Sequence, residues 1–395
     1  MITVSSSPIK ISLYISNVIY KFGGTESYTA NLIEAIQKIF PNGVLSVITE
    51  HWPKTEKIDS NQLVIRLNEA YGTKIIAEGV KVEYIQSKPQ RGRIDTVIFQ
   101  KEIRRITRQY DLFFYCSRGL LTGLAKKNIA IIHFPMDKKE SFPTYKKYPF
   151  LKFIAQKTDL NYINKYDYFI PNSNFTKYWL QQKWNIKDNK IQVLYPPVTK
   201  IKKTKEKQKD KILICSRIEK SKKIDKLIYA YTKSNFLSKN TKLIIAGSTK
   251  NESPEYVKYL QNINPSVEFI FNPSREKIED LYASSYIFWH AKGYEELDPY
   301  QMEHFGITTV EAMSAKCIPI VINKGGQTEI VTDECGFKWN NLDELIKYTE
   351  EIYSGKLDIS SMQKNCIERS NLYSKENYQK KLLTFIQQNI TTENK

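Results

Sequence analysis

Two glutamates lie in an otherwise apolar stretch, Met302-Glu303-His304-Phe305-Gly306-Ile307-Thr308-Thr309-Val310-Glu311-Ala312-Met313. The pattern predicts a glycine turn at Gly306 and a helix starting near Ile307, with Glu311 about one turn in. A helix N-terminus offers unpaired N–H donors and a positive dipole end, which suit a phosphate. A carboxylate inside that helix can accept from a ribose diol. One before the turn can accept from sugar hydroxyls. Val310, Ala312, Met313 and Ala315 would pack the helix on a sheet. Ligand contacts explain two acids among such neighbours better than a solvated face does.

Three cations follow another strand-like run. Arg217 comes just after Lys211–Ser216, with Lys222 and Lys223 close behind. Arg can grip a diphosphate by its planar fork and Lys as a point charge. Spacing alone fits solvated surface charges equally well. Gly23-Gly24 follows the run Lys10–Ser16. A glycine pair lets backbone turn tightly and approach a phosphate or sugar, and a plain turn explains it as well. There is no G-x-G-x-x-G and no G-x-x-x-x-G-K-[ST], so neither a dinucleotide fingerprint nor a P-loop is present. No D-x-D pair is placed for a metal. The five cysteines are scattered without a C-x-x-C pair, which argues against a disulfide framework and structural zinc. Small buried thiols are expected.

These residues need a scaffold that brings strand ends together. Strand-like runs recur at Lys10–Ser16, Val44–Ile48, Leu112–Cys116, Ile129–His133, Tyr168–Pro171 and Ile191–Tyr195. They recur again at Lys211–Ser216, Leu243–Ala246, Val267–Phe271, Ile287–His290 and Ile318–Ile322. Helical patterns separate many of them. Such alternation means parallel sheets with crossover helices, whose ligands bind beyond the carboxyl ends of the strands. Two first strands about two hundred residues apart indicate two doubly wound domains. The expected division is 1–198, a charged linker at 199–211, 212–374, and a closing amphipathic helix from 375 with apolar Tyr378, Leu382, Leu383, Phe385 and Ile386.

The chain has 395 residues, 41% of them hydrophobic, and a net charge of +18. That content buries a core and excludes a disordered chain. No apolar run approaches the ~18–20 residues of a membrane span. Met1 to Lys10 lacks the apolar stretch of a secretory signal, so a cytosolic protein is expected. Residues 1–200 hold 30 Lys+Arg against 16 Asp+Glu, a net of +14, and the remainder carries +4. A basic half favours an anionic partner. Arg91, Arg93, Lys101, Arg104, Arg105 and Arg108 form a dense stretch, followed by Lys126 and Lys127. A solvated helix face explains this stretch as well as surface binding does. The 199–211 run lacks the aromatic or Arg content of a nucleic-acid tail, so no nucleic-acid partner is expected.

The motifs taken together resemble the family 4 retaining glycosyltransferases, whose E-x7-E motif is similar to E-H-F-G-I-T-T-V-E-A-M here. The remaining pieces fall in family order over residues 10 to 380: Gly23-Gly24-Thr25-Glu26, His133-Phe134-Pro135, Asn172–Thr176, Tyr195–Val198, Ser216-Arg217-Ile218 with Lys222, Ala246-Gly247-Ser248 and Gly325–Val331. The resemblance implies an α/β GT-B fold, two doubly wound Rossmann-like domains facing a central cleft. It implies that Arg217 and Lys222 hold a donor diphosphate and that Glu311 takes the ribose hydroxyls. Glu303, with backbone N–H groups near Phe305, Gly306 and Ile307, would touch the transferred sugar. His133 would lie beside the anomeric carbon, with Gly23 and Gly24 in a donor-phosphate or acceptor loop.

The implied reaction moves a hexose from a nucleotide-diphospho-sugar to a glycan, lipid-linked or glycolipid acceptor of cell-envelope polysaccharide or glycolipid assembly. It needs no metal and no cofactor. The E-H-F-G-I wording resembles GDP-mannose-dependent enzymes of lipid-linked oligosaccharide assembly, which favours GDP-mannose, with a UDP-sugar next. The sequence departs from the family pattern in two places. Lys223 replaces a glycine and could share the phosphate role, and residues 291–302 form an insertion beside the donor motif. The basic first half and the lack of an anchor fit a peripheral place on the inner face of the cytoplasmic membrane, with Arg104, Arg105, Arg108, Lys126 and Lys127 as the contact. The rival readings are a non-catalytic anionic-surface or nucleic-acid binder on the same fold, and a nucleotide-sugar epimerase or a phosphorylase.

Overall fold

A computed structural model describes residues 8–16, 23–51, 56–85, 93–117, 121–135, 161, 163–250 and 252–390. The chain divides into two units. One is Met1–Tyr195 with Tyr378–Lys395, and the other is Pro196–Asn377.

The first unit holds strands β1 (Lys10–Tyr14), β2 (Val44–Glu50), β3 (Val80–Ile85), β4 (Leu112–Tyr115), β5 (Lys127–Ile132) and β6 (Tyr168–Pro171). They form one parallel sheet in the order β3-β2-β1-β4-β5-β6. Central strands such as β1 and β4 are buried almost throughout, because helices cover both faces of a parallel sheet. β3 is an edge strand whose middle residues are only half-buried. The Ile191–Tyr195 run forms no ladder. It lies along β6 through a single bridge to Phe169, with Gln192 N–H donating to Phe169 O (3.0 Å) and Leu194 N–H to Pro171 O (3.2 Å).

The second unit repeats the plan with β7 (Gln208–Cys215), β8 (Lys242–Gly247), β9 (Glu268–Phe271), β10 (Ser285–His290), β11 (Ile318–Ile322) and β12 (Phe337–Trp339). Its sheet runs β12-β11-β10-β7-β8-β9, again all parallel. In each unit the strand order reverses beside the first strand, between β1 and β4 and between β7 and β10. Open parallel sheets take ligands at such switch points, outside the carboxyl ends of the strands.

The basic run 199–211, expected as an exposed linker, is part of the second unit. Gln208 to Lys211 already belong to β7. The Lys207 ammonium is withdrawn from solvent and donates to Tyr282 O and Ser285 O, both at 2.7 Å. Lys203 and Lys205 pair with Asp280 at 2.8 and 2.9 Å. A lysine-rich segment can cover a sheet end when its long stems lie on apolar surface and its heads find oxygens. All five cysteines are free and buried.

The Lys375–Asn389 helix buries Tyr378, Leu382, Phe385 and Ile386 in the first unit's core, beside Tyr28, Leu32 and Ile36. The Tyr378 ring meets Tyr28 edge-on at 5.5 Å, and Phe385 meets Tyr168 at 5.3 Å. Leu382 is fully buried. Leu382→Ala should therefore cost roughly 2–5 kcal/mol, the usual range for a buried leucine truncation. Denaturant unfolding followed by first-unit fluorescence should show that loss, and an unchanged midpoint would contradict the packing.

Candidate active site

The β7–β10 switch point gathers most of the expected residues. Arg217 lies two residues past β7, in a loop pressed against the end of β8. A Cβ on Gly247 would collide with Ser216 O, so only glycine permits this approach. Ile218 N–H then donates to Ser248 O at 2.8 Å. Arg217 Nη1 lies 3.0 Å from Glu219 Oε2. The short 3-10 turn Lys220–Lys222 brings the Lys222 ammonium 2.8 Å from Glu303 Oε2.

Glu303 is tied down through both its side chain and its backbone. The glycine turn after β11 fixes its backbone. Gly326 N–H donates to Glu303 O at 2.7 Å, and a Cβ on Gly325 would strike the same oxygen. Gly325 also needs its left-handed φ of 66°. His290, the last residue of β10, reaches Glu303 Oε2 from the other side at 3.3 Å. Burial opposes ionisation of Glu303, but Lys222, Lys292 and the His290 bond outweigh it and hold its carboxyl well below the usual range. Burial pushes the His290 imidazole down as well. A neutral ring facing an ionised carboxylate must present its Nε2–H. Both contacts use Oε2. Among the described residues Oε1 accepts no hydrogen bond, which leaves it available to a hydroxyl donor.

Glu311 lies in the Ile307–Ser314 helix, which begins after Gly306 at φ 126°. The helix's own bonding starts with Thr309 N–H to Gly306 O at 3.1 Å, so the preceding N–H groups stay outside its ladder. A Cβ on Gly306 would meet Gln327 Nε2 at 2.7 Å. Phe305 is buried, its ring 5.3 Å from Tyr373. Glu311 carries two donors: Arg275 Nη1 at 2.6 Å on Oε1 and Tyr282 OH at 3.2 Å on Oε2. Arg275 starts the Arg275–Ser284 helix and is half-exposed at the rim.

Lys223, which replaces the family glycine, pairs with the insertion. Its ammonium lies 2.7 Å from Glu296 Oε1, and it adopts a left-handed φ of 54° where a glycine would be unstrained. Lys226 pairs with Glu295 at 3.1 Å, and Lys324 Nζ donates to Glu296 O at 2.8 Å. The 291–302 insertion is thus strapped by lysines of the second unit.

In the first unit, Gly23 caps the Gly24–Ile39 helix after β1. Neither Gly23 nor Gly24 has a left-handed φ, and Gly23 is extended. Only the cap and first helical position thus lack side chains; Thr25 and Glu26 follow in the first turn. His133 directly follows β5, with the Tyr28 ring edge-on at 5.5 Å and its carbonyl accepting from Thr176 Oγ1 at 3.2 Å. Ser173 caps the Asn174–Trp184 helix on which Thr176 sits.

The basic stretch divides. Arg105 and Arg108 are exposed. Arg104 donates to Thr122 Oγ1 at 3.3 Å, Lys126 pairs with Asp111 at 2.8 Å, and Lys127 lies 3.8 Å from Asp167. Lys126 and Lys127 are at the amino edge of the sheet, opposite the loops that follow the strands. Arg91 lies outside the described residues.

Sequence reasoning missed His290, Arg275, Tyr282 and Lys292 as site residues. The place of His290 at a strand's carboxyl end was a usable signal. Arg275 and Tyr282 meet Glu311 only through the tertiary fold.

The pH dependence of stability tests the Glu303 cluster. Its folded pKa is depressed, so the group adds stability above its unfolded range, about pH 4.3, and loses it as pH falls through the lower folded value. Acidification from about pH 5 to about pH 3 should lower the second unit's melting midpoint more steeply in the wild type than in Glu303→Gln. Parallel curves would show that the carboxylate is not held by its cations.

Two family models match successive parts of the chain: Glycosyltransferase Family 4 over residues 22–200 and Glycosyl transferases group 1 over 198–372. Among curated proteins, the chain is 26% identical over 156 residues to the GDP-Man:Man(3)GlcNAc(2)-PP-Dol alpha-1,2-mannosyltransferase of Dictyostelium discoideum, covering 37% of this chain and 29% of that protein. It is 30% identical over 239 residues to the alpha-1,3/1,6-mannosyltransferase ALG2 of Candida albicans, covering 47% of this chain and 51% of the relative. The chain thus spans about half or less of the length of these relatives. A solved glycosyltransferase from Rickettsia africae superimposes with a TM-score of 0.70 at 18% identity, over 98% of this chain and 100% of that one. That likeness shows a shared GT-B fold. With both sequence models matched in order on that fold, the chain belongs to the group 1, family 4 glycosyltransferases.

Proposed function

We propose that this chain is a retaining, metal-independent hexosyltransferase. It moves a sugar from a nucleotide-diphospho-sugar to a glycan or lipid-linked acceptor in envelope polysaccharide or glycolipid assembly. GDP-mannose is the first donor to test and UDP-sugars the next. Partial relatives named as mannosyltransferases, one of them for GDP-Man and a PP-Dol acceptor, support that order. The observation that carries the reading is the Lys222–Glu303–His290 cluster, with Arg217 beside it, at the β7–β10 switch point.

The chemistry follows from charge. Negative charge builds on the leaving diphosphate as the glycosidic bond breaks, and Arg217 and Lys222 are placed to offset it. Donor binding exchanges Lys222's bond to Glu303 for one to phosphate. Glu303 is then free to accept from the sugar, while the N–H groups at Phe305 to Ile307 face its phosphate side. Glu311 takes the ribose hydroxyls, oriented by Arg275 and Tyr282. His133 serves the reacting centre, and Gly23 and Gly24 leave room for donor phosphate or acceptor. These cations supply the charge that a divalent metal would otherwise bring.

A panel of GDP-, UDP- and ADP-sugars tests the assignment, with the anomeric configuration of the product read by NMR. Transfer with retained configuration is expected. Hydrolysis alone, epimerisation or inversion would overturn it. Chelation with EDTA should leave turnover unchanged, and rescue by magnesium would refute metal independence. Arg217→Ala and Lys222→Ala should each lower donor-dependent kcat/KM about ten- to a hundredfold, as loss of a charge-assisted contact implies. His133→Ala should depress kcat more than nucleotide affinity, and equal losses in both would remove its role at the reacting centre.

The proposed place of work is the inner face of the cytoplasmic membrane. Among the described residues no helix is long and apolar enough to cross a membrane. The first half carries the basic excess, and each Lys or Arg near an anionic surface contributes about 1 kcal/mol. Arg105, Arg108 and Lys126 are the exposed candidates, Lys126 with its head group on Asp111. Co-sedimentation with anionic but not neutral liposomes, lost at high salt, is the expected result. No binding at low salt would remove the membrane from the proposal.

A further inference from the structure

The cations around the switch point are nearly all spoken for. Arg217 pairs with Glu219 at 3.0 Å, Lys222 with Glu303 at 2.8 Å, Lys223 with Glu296 at 2.7 Å and Lys226 with Glu295 at 3.1 Å. Lys292 differs from them. It is half-buried, and among the described residues it makes no hydrogen bond and no ion pair.

Its position follows from strand register. β7 and β10 pair in parallel with Ile212 opposite Ile287 and Leu213 opposite Phe288. β7 ends at Cys215 and β10 at His290, so Arg217 and Lys292 each lie two residues past neighbouring strand ends, at the place where the strand order reverses. Electrostatic coupling to Lys292 comes from Glu303, Lys222, Arg217 and Glu219, which are all groups of this crevice. Burial and the two neighbouring cations push its ammonium below the usual lysine value. Glu303 offsets this charge only at a distance, since Lys292 makes no direct ion pair, and an anion placed against a half-buried ammonium completes the compensation.

We propose that Lys292 is a third cation for the donor's diphosphate, standing across the switch point from Arg217. The inference rests on the nucleotide-sugar reading of this site. It adds an anion contact that breaks no existing ion pair, whereas recruiting Lys222 or Arg217 exchanges one partner for another.

Calorimetric titration of GDP, UDP, inorganic pyrophosphate and guanosine into the wild type, Lys292→Ala and Lys292→Arg tests this. Lys292→Ala should weaken diphosphate and pyrophosphate binding about ten- to a hundredfold while guanosine affinity stays unchanged. Lys292→Arg should recover most of the loss. The melting midpoint of unliganded Lys292→Ala should change little, because the variant removes a partly buried charge and, with it, one of the cations near Glu303. Diphosphate binding by Lys292→Ala at wild-type strength would overturn the proposal and leave the donor site standing. Equal loss of guanosine and GDP, with a lowered midpoint, would assign Lys292 a purely structural part and overturn it too. A wild type that binds neither diphosphate nor pyrophosphate would instead defeat the donor-site reading itself, and this inference with it.

Discussion

Keeping Glu303 ionised while most of its surface is withdrawn from water sets the terms for the second unit. A carboxylate in that position demands cations and hydrogen-bond donors at fixed distances. Lys222 meets the demand from the turn after β7, and His290 meets it from the end of β10. The glycine pair after β11 grips the Glu303 carbonyl, so the side chain cannot drift. Three consecutive segments at one edge of the sheet are thereby tied to a single side chain. The close approach of Gly247 to Ser216 holds the fourth.

Glu311 repeats the device with different chemistry. Arg275 and Tyr282 each occupy one of its oxygens, one from the start of a helix and one from its last turns. Both acids of the pair are thus oriented before any ligand arrives. Preorganised groups spend less ordering entropy on binding, but an ion pair already made must be exchanged and not simply added to. The two acids differ in this respect. Under the proposed function, Lys222 would change partners for a phosphate, while Arg275 would stay on Glu311 as a hydroxyl takes a remaining lone pair.

Much of this frame was legible in the chain, for physical reasons that differ by element. Buried parallel strands such as Ile318–Ile322 are continuous apolar runs, and Gly306 marks the turn before a helix because its φ suits no other residue. Val80–Ile85 escaped notice because an edge strand shows only its end residues to the core. Phe337–Trp339 is too short for a period to register. The lysines of 199–211 read as solvated because charge alone does not reveal that carbonyl oxygens await Lys207. The Gly23-Gly24 pair opens a helix without a left-handed residue. The carboxylates were visible, but their partners Arg275 and His290 depend on which strands and helices become neighbours. No local pattern encodes that.

The Lys375–Asn389 helix gives the molecule a particular order of assembly. Residues emerging first from a ribosome build the sheet of the first unit, yet that unit's core contains Tyr378, Leu382, Phe385 and Ile386 from the far end of the chain. The intervening residues can complete their own sheet while this apolar face still waits for its cover. The first unit therefore closes its core only after the second has been synthesised, and a nascent chain stalled before residue 378 presents an open hydrophobic surface to chaperones.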